Sequence, residues 1–345
     1  MATMFAQLPV SSGRTLRTEA WRRNPPLVTL VLAMLVVAAV ALLGLVVDPR
    51  VITGAPAWMK PLKFAVSIAI YSATLLWMLT FIPDRPRLVA VISWGLFLTF
   101  GIEMALLVTQ VLRNTTSHFN VATSFDAAVF TTMGAAIAGL WLLNAIVAFL
   151  LARRRFAEAP IVWGVRMGLI AGLLGMAVAF LMTQPTPEQD SLIAATGSSS
   201  IVGAHAVGVA DGGPGLPVVG WSTEGGDLRV AHFVGLHGLQ ILPLLGLALA
   251  RFGPTWLPMR DRSRLVGVAS AFWIALVLLL TWQALRSQPL IAPDALTLSA
   301  LGLLIAMMAA ATGAVLAPAR IAGARAWRCG DSTPGLAGLP VHPLR

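Results

Sequence analysis

Eight separate runs of mostly apolar residues, spread between residues 27 and 317, constrain this chain more than any other feature. A helix of about twenty residues, rising ~1.5 Å per residue, crosses the ~30 Å hydrocarbon layer of a bilayer. Within hydrocarbon the backbone has no water to bond with, and a helix satisfies its own amides and carbonyls. Only 11% of the 345 residues are charged and 57% are apolar, against roughly a quarter charged in a soluble domain. The predicted fold is therefore all-α, a polytopic transmembrane helical bundle of about eight spans near 27–47, 64–82, 88–111, 127–151, 162–183, 231–250, 265–285 and 297–317.

The formal charge of +10 raises the question of nucleic acid. A nucleic-acid surface needs basic and aromatic residues interleaved on one solvated face, whereas here the arginines sit between apolar runs. Their placement follows the rule that Lys and Arg near span ends remain in the cytoplasm. With the N-terminus inside, seventeen of the 24 basic residues fall on the cytoplasmic side and six on the other. Both termini are thus predicted to be cytoplasmic: an N-terminal segment 1–26, a membrane domain 27–318 and a tail 319–345. The expected location is a bacterial plasma membrane, with membrane lipids as neighbours and no nucleic-acid partner. Arg14, Arg17, Arg22 and Arg23 precede an apolar run from Leu27 to Val47. That run is longer than the apolar core of a cleaved signal and reads as an uncleaved signal anchor. The single cysteine, Cys329, excludes an intramolecular disulfide and a CxxC redox pair.

One connection is long. Residues 184–230, extracytoplasmic by this topology, are rich in Gly, Ser and Pro, and the stretch from Asp211 to Pro217 reads as consecutive turns. The loop also carries Ile201, Val202, Val207, Val209 and Trp221, so it is expected to fold back over the helix ends, with a short helix or re-entrant segment.

Polar groups inside a span are costly and by default face the bundle interior or a water-filled cavity. In the third span Thr99, Glu103, Gln110 and Asn114 share one stripe at helical spacing. Glu103 is the deepest, about 13 Å below the outer end of its helix. In the second span Lys60, Lys63, Ser67, Tyr71 and Thr74 share a face; these are the only two lysines and the only tyrosine in the chain. The lysines read either as cations snorkelling to headgroups or as ammonium groups needed for an anion or a base. In the sixth span His232 and His237 point about 140° apart, while Gln240 shares the His237 face near the estimated depth of Glu103, where the two are expected to meet. Apart from His342 in the tail, the histidines His118, His205, His232 and His237 all fall on the extracytoplasmic side.

Imidazole is the commonest metal ligand and an axial ligand of haem iron. The candidate metal ligands are therefore His118, His205, His232, His237 and Asp211, with His232, His237, Arg229 and Gln240 as candidates around a cofactor. Glu103, Lys60, Lys63 and Tyr71 are the candidate catalytic groups. Arg113 with Asp126, and Arg229 with Asp227, read as ion pairs fastening loops to helices or as anion-recognition groups. No Walker A, Rossmann fingerprint, G-x-S-x-G or H-E-x-x-H motif occurs.

The strings Lys60–Phe64, Ser117–Thr123 and Gly220–Gln240 resemble those of a bacterial family of uncharacterised multi-pass membrane proteins. That resemblance covers most of the chain and implies membrane location without an activity. Eight spans with histidines at the outer face also resemble the haem A synthases, which place paired histidines in several spans. Here the fourth and eighth spans have none, and that function is not carried over. Three functions fit the residues: a haem- or transition-metal-dependent redox protein, a small-solute or proton transporter using Glu103, and a lipid-modifying membrane enzyme whose outer-face His and Lys act on a headgroup. The deep acid discriminates, because interfacial lipid chemistry has no need of it whereas proton delivery does.

Overall fold

The computed structural model describes residues 21–154 and 158–330, with side chains described to residue 319. Arg14, Arg17, Arg155, His342, Arg345 and most of the N-terminal segment lie outside the described residues, as do the side chains of Cys329 and the tail arginines. Among the described residues nine long or medium helices follow one another: α1 (Pro25–Val47), α2 (Met59–Leu79), α3 (Pro86–Leu112), α4 (Ser124–Ala152), α5 (Ala159–Met182), α6 (Pro187–Thr196), α7 (Leu228–Phe252), α8 (Met259–Leu285) and α9 (Ala295–Gly330). All but α6 are long and apolar enough to cross a membrane. The chain is a multi-pass, all-α membrane protein.

Local chemistry sets the helix starts. Asn24 caps α1 by accepting from the Leu27 amide, and Pro25 and Pro26 occupy the first helical positions, where no amide donor is needed. The Asn24 amide also donates to Ser93 Oγ at 2.7 Å, tying α1 to α3. Against the hydropathy reading, α9 runs on to Gly330 rather than near 317, α8 begins at Met259 rather than near 265, and α2 begins at Met59 rather than near 64. Lys60 and Lys63 therefore lie in the first turns of α2, ahead of the apolar run. Hydropathy ends a span at its charges, but a helix continues through charged residues that find partners.

At one end of the bundle, the loop end, four connections gather: a two-residue hairpin β1 (Val51–Ile52) with β2 (Ala55–Pro56), the turn from 113 to 123, the long segment 183–227 and the turn from 286 to 294, whose Ser287 packs on Gly208. The long segment contains the expected short helix, α6, closed by a Thr186–Gln189 capping box and by Gly197 in the left-handed conformation. It returns to the bundle through the ladder of β3 (Ala206–Val207) with β4 (Gly226–Asp227) and through an Asn120–Ile201 bridge to the 113–123 turn.

The core runs through α1 to α5 and α7, with Leu75, Met78, Leu96 and Leu169 almost wholly buried. The most extensive helix contact joins α5 to α7. Glycines make it close: a Cβ on Gly175 would sit 2.7 Å from Gly235 Cα, and one on Gly164 would sit 2.4 Å from the Leu242 carbonyl oxygen. Small residues permit such backbone approach where lipid supplies no hydrophobic drive between helices. By contrast α9 buries none of its most apolar stretch within the chain.

Candidate functional site

The 113–123 turn dips into the loop end of the bundle. Asn114 and Phe119 both adopt positive φ, at 57° and 66°. Asparagine tolerates this, but for phenylalanine it costs about 1–2 kcal/mol. Burial of the Phe119 ring, which is 4% exposed against Val178, Met182, Leu228 and Ala231, offsets that cost. Gly203 makes the seat possible, since a Cβ there would lie 2.5 Å from the Met182 carbonyl oxygen and 2.7 Å from the Phe119 ring. The two loops so joined bring His118 and His205 together, with ring centroids 6.3 Å apart.

His118 stands between a lysine and the buried acid. Its Nδ1 lies 3.0 Å from Lys60 Nζ and 2.9 Å from Ser117 Oγ. Its Nε2 lies 3.5 Å from Glu103 Oε1, a close approach rather than a hydrogen bond. An ammonium can only donate, so whenever the charged Lys60 donates to the ring, Nδ1 is the bare nitrogen and the ring proton is on Nε2, facing Glu103. Glu103 is 1% exposed, and neither of its carboxyl oxygens has a hydrogen-bond partner. Burial, followed by the Lys60 cation, pushes the His118 pKa below that of an ordinary imidazole, and Glu103 only partly opposes this. The ring is neutral at neutral pH.

His205 is held differently. Its Nδ1 is 2.6 Å from Asp211 Oδ2, and Asp211 also accepts the backbone amides of His205 and Ala206. Burial lowers the His205 pKa to about 4 despite the opposing carboxylate. Burial alone would raise Asp211, but the bonds and charge of His205 with the two amides outweigh it and hold the acid below the usual carboxylate range. The pair is thus a neutral imidazole donating Nδ1–H to an ionised carboxylate.

The remaining expected site residues do not join this group. His232 Nδ1 donates to the Gly175 carbonyl at 2.8 Å, across the tight α5–α7 contact. His237, five positions further along α7, is exposed on the outer face of the bundle. Among the described residues, no three His, Cys, Asp or Glu side chains converge to hold a metal ion. The expected four-imidazole site is therefore not formed: helix geometry sends His237 away from His232, and a backbone carbonyl takes His232. Gln240 reaches Thr74 of α2, at 3.4 Å, instead of Glu103. Tyr71 donates to Asn144 of α4 and packs edge-on against Phe100. Lys63 donates to the Val219 carbonyl at 3.0 Å, and Arg229 binds Asp227 and the Gly220 carbonyl. Asp126 is paired with Arg113. Both arginine–aspartate pairs fasten loops to helix starts.

Sequence reasoning missed Ser117, Asn144 and Phe119. Asn144 carried a readable signal, an isolated amide in an otherwise apolar span; Phe119 carried none, because its role rests on a backbone conformation. No family model matches the chain, and neither a curated protein nor a solved structure does. What the fold defines is a polytopic helical membrane protein.

Proposed function

We propose that the protein is a proton transporter, acting alone or coupled to a small solute, in which Glu103 takes up and releases the proton. The single observation behind this reading is the state of Glu103: a fully buried carboxyl with two unbonded oxygens, facing an imidazole N–H at 3.5 Å. A buried polar group without a partner costs about 1–3 kcal/mol, and more when charged. Intramembrane acids of this kind mark ion paths and proton relays. Access is from the loop end, where the His118 side chain keeps 21% of its exposure. By the distribution of arginines, that end faces away from the cytoplasm. The redox reading is not taken further, since no convergent ligand set among the described residues supports it. No specific contact favours headgroup chemistry.

The test is flux. Protein reconstituted in liposomes enclosing a pH-sensitive dye is expected to pass protons down an imposed gradient, and Glu103→Gln is expected to reduce that flux to the level of empty liposomes. Flux unaltered in Glu103→Gln would end the reading.

A further inference from the structure

We propose that Lys60 is the immediate proton donor to Glu103, acting through the His118 ring, and that the ring conducts the proton by exchanging its tautomer without becoming an imidazolium. This rests on Glu103 being the proton acceptor. It adds the donor, the path and the direction of bond changes.

The geometry is a line of three groups. Lys60 Nζ is 3.0 Å from one nitrogen of the ring, and Glu103 Oε1 is 3.5 Å from the other. In the loaded arrangement the ammonium donates to Nδ1, and Nε2–H faces an ionised carboxylate. One Nζ–H bond then breaks as Nδ1–H forms, while Nε2–H breaks as Oε1–H forms. Ammonium and carboxylate become amine and carboxylic acid, the ring is neutral before and after, and nothing is oxidised. Removing two opposite charges from a low-dielectric interior is favourable in direction. The depressed His118 pKa agrees with a ring that passes a proton without holding an extra one. Phe64 and Phe119 flank the ring at centroid distances of 5.9 and 6.1 Å and limit its rotation.

The charged groups around Lys60 are Glu103, Arg229, Asp211 and Lys63. Arg229 is held by Asp227, and Asp211 by His205. Ser117 Oγ shares the Nδ1 contact, but a hydroxyl is not acidic enough to be the source. After transfer the Lys60 amine regains a proton from the aqueous mouth. Two donors, ammonium and Nδ1–H, then face each other and oppose a second transfer until the first proton returns or leaves. One proton is loaded per event.

The experiment uses the full chain in nanodiscs, with the carboxyl infrared band of Glu103 identified by its loss in Glu103→Gln and followed after a downward pH jump. Lys60→Met and Lys60→Arg are both expected to slow protonation by roughly 100-fold or more, the scale of positioned acid–base catalysis, with the final amplitude retained. Arginine keeps the charge but does not give up its proton. A normal rate in Lys60→Arg would therefore show that only the charge matters and would overturn the proposal. Nitrogen NMR of His118 in the unaltered protein decides the same point without a substitution. The proton is expected on Nε2 before the jump and on Nδ1 after it, and an imidazolium or an unchanged tautomer would overturn the proposal. Absence of any titrating Glu103 band is a different failure, which would remove the reading of Glu103 itself.

Discussion

Asp126 and Glu103 are both buried carboxyls near the loop end of the bundle, 4% and 1% exposed, yet their surroundings are opposite. Asp126 accepts from Gln110, Arg113 and Thr123, and its own amide is capped by Thr123, so one carboxylate ties α3 to the start of α4. Glu103, two turns deeper on α3, is bonded to nothing. A buried acid with a complete set of donors is a fastener whose charge is already stabilised. One without donors has nothing in the bundle to stabilise a charge, and the proposed proton chemistry rests on that contrast.

The largest expected effect comes from removing each acid in turn. Asp126→Ala should lose about 2–3 kcal/mol of stability in thermal unfolding in detergent. Arg113 is more than a third exposed, so screening trims the pair itself, and most of the loss is the stranded Gln110 amide and the lost bond from the Thr123 hydroxyl. Glu103→Met should stay within about 1 kcal/mol of the parent because it breaks no hydrogen bond. Equal losses for the two would break the comparison.

Next comes the wall of helices behind the site. Gly175→Ala forces apart α5 and α7, and overpacking of this kind costs about 1–3 kcal/mol. Its carbonyl holds His232 outside the Lys60–His118–Glu103 group, so unfolding should occur earlier while proton uptake per folded molecule stays the same. A parallel loss of uptake in folded protein would bring His232 into the path.

Acidification should produce a smaller change at the loop dyad. His205 titrates near 6.5 when unfolded and about 4 when folded, so between these values the unfolded chain binds the extra proton. The stability it contributes is complete above about pH 6.5 and is lost as the pH falls toward 4, by about 1–2 kcal/mol after allowance for partial exposure. Below about 4, Asp211 adds a loss of the same sign. Hydrogen exchange of residues 201–212 should quicken across that window and should lose the trend in His205→Gln. Exchange insensitive to pH would show that the dyad does not hold the loop.

The smallest effect tests whether lacking a partner is itself the signal. Ser72 Oγ is buried and unbonded, like Glu103, but does not titrate. Ser72→Ala should change stability by less than about 0.5 kcal/mol and leave proton flux untouched. A flux defect there would mean that any unpartnered polar group in the bundle matters, and the contrast between acids would lose its meaning.

Much of the site was visible along the chain only in part. The Thr99–Glu103–Gln110 stripe identified a polar face on the third span, and the divergence of His232 from His237 follows from five residues at ~100° each. The choice among the histidines was not visible. His118 and Lys60 are 58 positions apart, and they meet because Phe119 and Gly203 seat one loop under another.

Span number, span length and the segregation of arginines were determined by sequence alone, because hydropathy and charge act residue by residue against the bilayer and need no partner from elsewhere in the chain. Which polar groups are saturated and which are left bare was decided only by tertiary structure. A hydrogen bond requires two atoms within about 3 Å, and no one-dimensional pattern states that Asp126 finds its donors while Glu103 finds none.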